Sequence, residues 1–263
     1  ASTGMAEGPY FMADRTVTMF AAKPGLLSGV GRVASGEIVV ASLAARDGAT
    51  DVEELAETVA LEEGDYLDAF PAPDVMQDKY ARGRVLVVAG SRRYPGAAIM
   101  AALAAARAGA GYVTLAVPEP VVAIAQSHLL TIPVVGLPCD VEGSFGIMAA
   151  EEVGRLANHA DVVLAGPGMT RSDGACEAVR AVLRSKAAVV LDADALNAVT
   201  RMCAGSALKR PNLLRREAPL VLTPHHRELA RLVGRDDVAS IASMHDAIEA
   251  ARSLAWAVGS ENF

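Results

Sequence analysis

The sequence predicts an α/β fold built on a mostly parallel sheet. Three observations carry that expectation. Short apolar runs of strand length recur along the chain, and each ends in a glycine, proline or aspartate turn. Stretches of helical length separate these runs, which is the order of successive βαβ units. Hydrophobic residues make up 52% of the 263 residues, enough for one good core or one and a half domains.

The first elements stand apart from the rest. Residues 13–20 (ADRTVTMF) and 37–43 (EIVVASL) read as strands, separated by the Gly- and Pro-bearing stretch AAKPGLLSGVG. Together they are too short to fold alone. Residues 42–66 then carry Asp47, Asp51, Glu53, Glu54, Glu57, Glu62, Glu63 and Asp65. That density of one charge reads as a linker with one solvated surface helix.

Residues 84–114 (RVLVVAGSRRYPGAAIMAALAAARAGAGYVT) carry the most informative signal. Residues 85–89 form a run with three valines, as in a fully buried parallel strand. Gly90 and Ser91 break it, and Gly96 opens a helix dominated by alanine over residues 97–110. Gly109 and Gly111 close that helix before a strand at 112–117. A strand that ends in glycine and feeds a helix start points unpaired N–H groups at one spot, which favours phosphate. The segment is neither a P-loop nor G-x-G-x-x-G: five residues separate Gly90 from Gly96, and no Lys-Ser/Thr pair follows. Taken alone, it fits an ordinary βαβ turn as well as a ligand loop.

Further strands are expected at 161–165 (DVVLA), 188–192 (AVVLD) and 219–223 (PLVLT). Helices are expected at 174–185, from 195–199 onward, at 226–233 and at 244–258. In open α/β sheets, ligands sit beyond the carboxyl ends of the strands. Four strands end in marked loops, GSRRYPGA, GPGM, DADALN and TPHHRE, so all four are expected on one rim.

Composition excludes several functions. The net charge is −7 and no basic stripe is present, so no nucleic-acid partner is expected. With 4% aromatic residues, little is left for base-stacking platforms. No apolar stretch is long enough to span a bilayer, and the start lacks a basic segment followed by an apolar one, so no membrane partner is expected. Cys139, Cys176 and Cys203 are odd in number and widely spaced. That pattern fits a reducing cytoplasm, argues against a disulfide framework or zinc site, and reads as three small buried or half-buried residues.

In their order and spacing, the four motifs resemble the ADP/ATP-dependent NAD(P)H-hydrate dehydratases, relatives of ribokinase-like small-molecule kinases. The resemblance covers about residues 79–234. The stretch ADRTVTMFAAKPGLLSGVGRVASGEIVVASL resembles the end of the NAD(P)H-hydrate epimerase domain that often precedes the dehydratase. The resemblance implies a ribokinase-like three-layer sandwich, incomplete at the C-terminus. It also implies an epimerase remnant at 1–45, the acidic linker at 46–66 and a dehydratase-like domain at 67–263. The implied activity is ADP- or ATP-dependent dehydration of the S-epimer of hydrated NADH or NADPH. Mg²⁺ is the implied metal, and a homo-oligomer the implied assembly.

The resemblance also assigns residues. Ala97 and Gly168 match positions that contact the hydrated dinucleotide, with Gly96 and Gly166 beside them. His225, in Thr223-Pro224-His225-His226-Arg227-Glu228, stands where the kinases carry Asn, and is the dehydratase form. Its imidazole can donate to a ribose, amide or phosphate oxygen. Asp192 stands where the kinases place an acid near metal and phosphate, with Asn197 nearby. Glu228 would orient water around Mg²⁺, or else be a solvated acid at a helix start. Asp194 reads as a helix N-cap.

The family's Lys-Gly nucleotide segment and its Gly-x-Gly-Asp turn do not occur in the sequence. The expectation is that the catalytic Asp lies beyond Phe263, that the chain is an internal fragment of a bifunctional protein, and that it is inactive alone. A kinase of a small vitamin-precursor alcohol and a non-catalytic fragment are the alternatives.

Overall fold

A computed structural model of the chain describes residues 3–6, 8–41, 60–61, 64–65, 76, 81–235 and 241–258. The chain divides into two compact units, residues 1–75 with 239–251 and residues 76–238 with 252–263.

In the first unit, β1 (Arg15–Met19) and β2 (Glu37–Ala41) pair in parallel, with Val17 beside Val39. The crossover contains α1 (Gly29–Ala34). Lys23 stiffens the turn after β1, where its Nζ donates to Thr18 Oγ1 at 3.0 Å and to the Ala21 carbonyl at 2.7 Å. Both strands lie inside the ranges expected from the sequence. The surface helix expected in the acidic stretch falls almost entirely outside the described residues.

The second unit is organised by six parallel strands: β3 (Arg84–Val88), β4 (Tyr112–Pro118), β5 (Val134–Leu137), β6 (Val162–Ala165), β7 (Ala188–Leu191) and β8 (Leu220–Leu222). Their order across the sheet is β5-β4-β3-β6-β7-β8. The period of two along a strand splits the core into two layers. Leu86 and Val88 join Val163, Ala165, Val189 and Leu191 on one face, while Val87 joins Leu115 and Val117 on the other. The first face is covered by α4 (Ala149–Ala157), α5 (Asp173–Leu183) and α6 (Asp194–Met202). The second is covered by α2 (Pro95–Arg107) and α3 (Val122–His128). Val87 and Val88 are fully buried, and each such side chain contributes on the order of 1.5–3 kcal/mol. The last elements are α7 (His226–Leu232) and α8 (Met244–Val258), whose residues 244–251 belong to the first unit.

Several local rules are visible. Pro95 occupies the first turn of α2, where its missing N–H costs nothing, so that helix starts one residue before Gly96. Ser172 caps α5 by accepting from Ala175 N at 3.0 Å. At the amino edge of the sheet, Arg84 and Asp161 tie β3 to β6. The Asp161 carboxylate accepts from Arg84 N at 2.8 Å and from Nη2 at 2.9 Å. The Arg84 guanidinium holds the Asp161 carboxyl below the usual carboxylate range.

The elements α3, β5 and α4 are not among those expected from the sequence. Pro118, Pro120, Pro133 and Pro138 cut that region into pieces shorter than a clear period. The edge strand β5 has only four residues, Gly136 among them. The buried stripe of α4 is Ala149, Val153 and Ala157, two of its three members being alanine. Cys139 also differs from expectation. It is exposed in the loop after β5, whereas Cys176 and Cys203 are buried as expected.

Candidate functional site

All six strands run the same way, so the loops that follow them share one rim. Adjacent strands β3 and β6 send their chains to opposite faces of the sheet. Their carboxyl ends therefore frame a crevice, the place where open α/β sheets bind ligands. A cleft of about 530 Å³ lies there, lined by Arg93, Tyr94, Ala97, Gly168, Thr170, Arg171 and Asp194.

Its walls meet through backbone. Gly168 has φ +69°, and a Cβ there would stand 2.9 Å from both Ala97 Cβ and Tyr94 Cβ. The loop after β6 thus lies flush against the first turn of α2, with Ala97 half-buried at the contact. Gly166 has φ +130°, and its Cβ would come within 1.8 Å of the Asp192 carbonyl oxygen. Gly90 N donates to the Pro167 carbonyl at 2.8 Å, which fastens the loops after β3 and β6. Gly96 is exposed, with open space where a side chain would be, so its lack of one serves no protein contact.

Two residues on this rim hold unusual backbone. Thr170 has φ +66° and Ala193 φ +49°. A β-branched residue in the left-handed region is strained unless its surroundings fix it. Here Thr170 N donates to Asp194 Oδ2 at 2.9 Å, and Thr170 Oγ1 lies 2.7 Å from Ser144 Oγ. The Ser144 loop is itself pinned, since Asp140 Oδ1 accepts from Glu142 N and Ser144 N. Ala193 turns the chain so that Asp194 becomes the first residue of α6. Asp194 is therefore not an N-cap: the cap position is Ala193, and the carboxylate reaches across to hold Thr170.

The remaining candidates form a chain of contacts along the rim and do not line this cleft. Asp192 Oδ1 accepts from Thr223 Oγ1 at 2.8 Å, joining the ends of β7 and β8. Asn197 donates to Asp194 Oδ1 at 3.2 Å and accepts from Arg231, bridging α6 to α7. His225 is the N-cap of α7. Its Nδ1 accepts from Arg227 N at 3.1 Å, while its own N–H donates to Glu228 Oε2 at 3.0 Å. This is a capping box with imidazole in the place of a hydroxyl. The His225 side chain is 61% exposed, and its Nε2 lies 3.4 Å from Glu228 Oε1. Glu228 is 8% exposed, so it is not a solvated acid, and both of its oxygens face His225. Among the described residues, no group of three His, Cys, Asp or Glu is placed to hold a metal.

Chemically, the cleft suits a flat or elongated anionic ligand. Arg93 and Arg171 bring two guanidiniums to its mouth, and Arg93 lies 5.4 Å from the centre of the Tyr94 ring. Ala97 and Gly168, both expected from the sequence, line the cleft beside Arg93, Tyr94, Thr170 and Arg171, which, like the supporting Ser144, are not among the expected residues. The signals were present: Arg93-Tyr94 sit between the two glycines of the first loop, and Thr170-Arg171 directly follow Gly168-Met169.

The family model for NAD(P)H-hydrate dehydratase matches residues 85–260, more than half of the chain. The bifunctional NAD(P)H-hydrate repair enzyme Nnr of Salinibacter ruber is 36% identical over 259 residues, covering 97% of this chain and 46% of that protein. The ADP-dependent (S)-NAD(P)H-hydrate dehydratase of Xanthomonas campestris is 36% identical over 184 residues, covering 68% of this chain and 58% of the relative. Among solved structures, the ADP/ATP-dependent NAD(P)H-hydrate dehydratase of Bacillus subtilis, co-crystallized with ATP/Mg²⁺, superposes with TM-score 0.55 at 26% identity. It covers 69% of this chain and 57% of that one. A ribokinase-like superfamily protein of Enterococcus faecalis shares the fold, with TM-score 0.55 at 21% identity, covering 70% of this chain and 58% of that one. The chain spans about half the length of the bifunctional relative it matches.

Proposed function

The chain belongs to the NAD(P)H-hydrate dehydratase family, and from that premise we propose that its rim cleft binds hydrated NADH or NADPH within a nucleotide-repair enzyme. The observation that carries this reading is the position of the cleft: it opens where β3 and β6 diverge, and Ala97 and Gly168 meet on its floor. A methyl group facing a glycine leaves backbone N–H groups open to a dinucleotide phosphate at the start of α2. Arg93 and Arg171 add charge for the same anion. Asp194 fixes Thr170, so the wall is formed before ligand arrives and little ordering is needed on binding.

In this reading the parent protein removes the added water with ADP or ATP as co-substrate. The relatives' names support the nucleotide. Release of its Nε2 from Glu228 Oε1, 3.4 Å away, frees the exposed His225 imidazole to donate to the substrate from the β8 end of the rim. We leave Mg²⁺ unassigned in this chain, because Glu228 uses both oxygens on His225. Two spans support the domain reading. Similarity to the bifunctional enzyme covers 97% of the chain, whereas the dehydratase family model starts at residue 85. Residues 1–45 are then the end of an epimerase-like domain, joined by the acidic linker at 46–66. Three free cysteines support the cytoplasm as its compartment.

The test is catalytic. The full-length parent, given hydrated NADH and ADP or ATP, restores the reduced nicotinamide absorbance. No recovery with either nucleotide overturns the reading.

A further inference from the structure

The opposite edge of the same sheet carries a second recess, of about 330 Å³, lined by Arg180, Leu183, Arg184, Asn212, Leu213 and Arg215. It lies at the amino edge because α5 runs back from the carboxyl end of β6, so its C-terminal turn stands beside the start of β7. Three guanidiniums in one recess are unusual in a chain of net charge −7. Among the described residues only Arg180 has a carboxylate there: its Nε lies 3.5 Å from Glu177 Oε2, without hydrogen-bond geometry. Among the described residues, Arg184 makes no ion pair and Arg215 donates only to the Ala257 carbonyl at 3.3 Å.

A second observation concerns buried donors. Arg216, next to Arg215, donates from Nη2 to the carbonyls of Ser185 and Ala187, directly beyond Arg184. Its Nε and Nη1 are buried with no hydrogen-bond partner among the described residues, but Arg216 stands behind the recess and does not line it; of the lining residues, Arg180 carries a buried unpaired Nε. Burial alone pushes the Arg216 guanidinium below its ordinary pKa, so no nearby anion offsets its desolvation. Buried N–H groups without acceptors are rare, and each calls for a water or an ion. Guanidinium forks match tetrahedral oxyanions.

We propose that this amino-edge recess binds a phosphate dianion, either inorganic phosphate or the phosphate of a small ester, through Arg180, Arg184 and Arg215. The volume suits one small phosphate-bearing molecule and not a dinucleotide. The site stands on observations separate from the rim cleft, so it survives or fails independently of the dehydratase reading.

Calorimetric titration of the 263-residue chain with inorganic phosphate, glycerol 3-phosphate and acetate tests it. Saturable binding of at least one phosphate probe, but not acetate, is expected. Tighter binding of inorganic phosphate marks the free ion as ligand, and tighter binding of glycerol 3-phosphate marks an ester. Arg184→Gln and Arg215→Gln change exposed side chains and should each weaken binding about tenfold, while Arg107→Gln, an exposed residue that lines neither cleft, leaves it unchanged. The proposal is overturned if neither phosphate probe binds, if binding is unaltered in both amino-edge variants, or if Arg107→Gln weakens it as much as they do.

Discussion

The two edges of the six-stranded sheet are built on opposite principles. At the carboxyl rim, loops touch through backbone. Gly166 and Gly168 remove side chains where loops meet, and Asp194 supplies the acceptor that strained Thr170 needs. At the amino edge, guanidiniums crowd a recess and some of their donors find no acceptor. The rim offers preformed shape beside two guanidiniums, with one buried hydroxyl, Ser91 Oγ, left without a partner among the described residues. The amino edge is unfinished and offers charge. A preformed cleft spends little of its binding energy on ordering, whereas unpaired buried donors gain most when an anion arrives.

The contrast breaks most severely at Gly166. Gly166→Ala places a methyl group 1.8 Å from the Asp192 oxygen in a backbone region closed to alanine. A loss of about 3 kcal/mol or more is expected from urea unfolding. Gly168→Ala costs less, about 1–2 kcal/mol, because its neighbours are side-chain atoms of Ala97 and Tyr94 as well as backbone. Asp194→Ala removes the acceptor of Thr170 N. It should cost about 1–3 kcal/mol and speed hydrogen exchange at the Thr170 amide. An unchanged exchange rate there would show that Asp194 does not hold the wall.

A smaller effect tests the amino edge. The Asp161 carboxyl has a lowered pKa in the folded chain through Arg84. Its contribution is therefore complete above the unfolded value, near 4, and is lost as pH falls through the lowered folded value. Asp161→Asn should lower the unfolding midpoint slightly at pH 7, and the gap to wild type should close on acidification. A gap that widens toward low pH would contradict this. The smallest effect concerns thiols. Burial pushes Cys176 and Cys203 up in pKa, so iodoacetamide at neutral pH should label exposed Cys139 first.

Much of the sheet was legible because buried parallel strands announce themselves as valine-rich runs, as in residues 85–89 and 188–191. Alternation between β3 and α2 set the rim, and Ala97 and Gly168 could be found on it. The region around β5 was not legible, since prolines and an alanine stripe hide its periods. Nor was the role of Asp194: an aspartate at a helix start reads locally as a cap, and only tertiary packing brings Thr170 N to it. Glu228 failed in the same way. Its burial against His225 comes from the packing of α7, which the Thr-Pro-His-His-Arg-Glu string does not encode.

The central claim is that Ala97 and Gly168 form the floor of a dinucleotide site. Titrating hydrated NADPH into the 263-residue chain, wild type and Ala97→Leu, tests it most directly. Leucine at this half-buried position would project into the cleft, so saturable binding by wild type and a loss of about tenfold or more in the variant are expected. Binding that is absent from the wild type, or equal in both chains, would contradict the account.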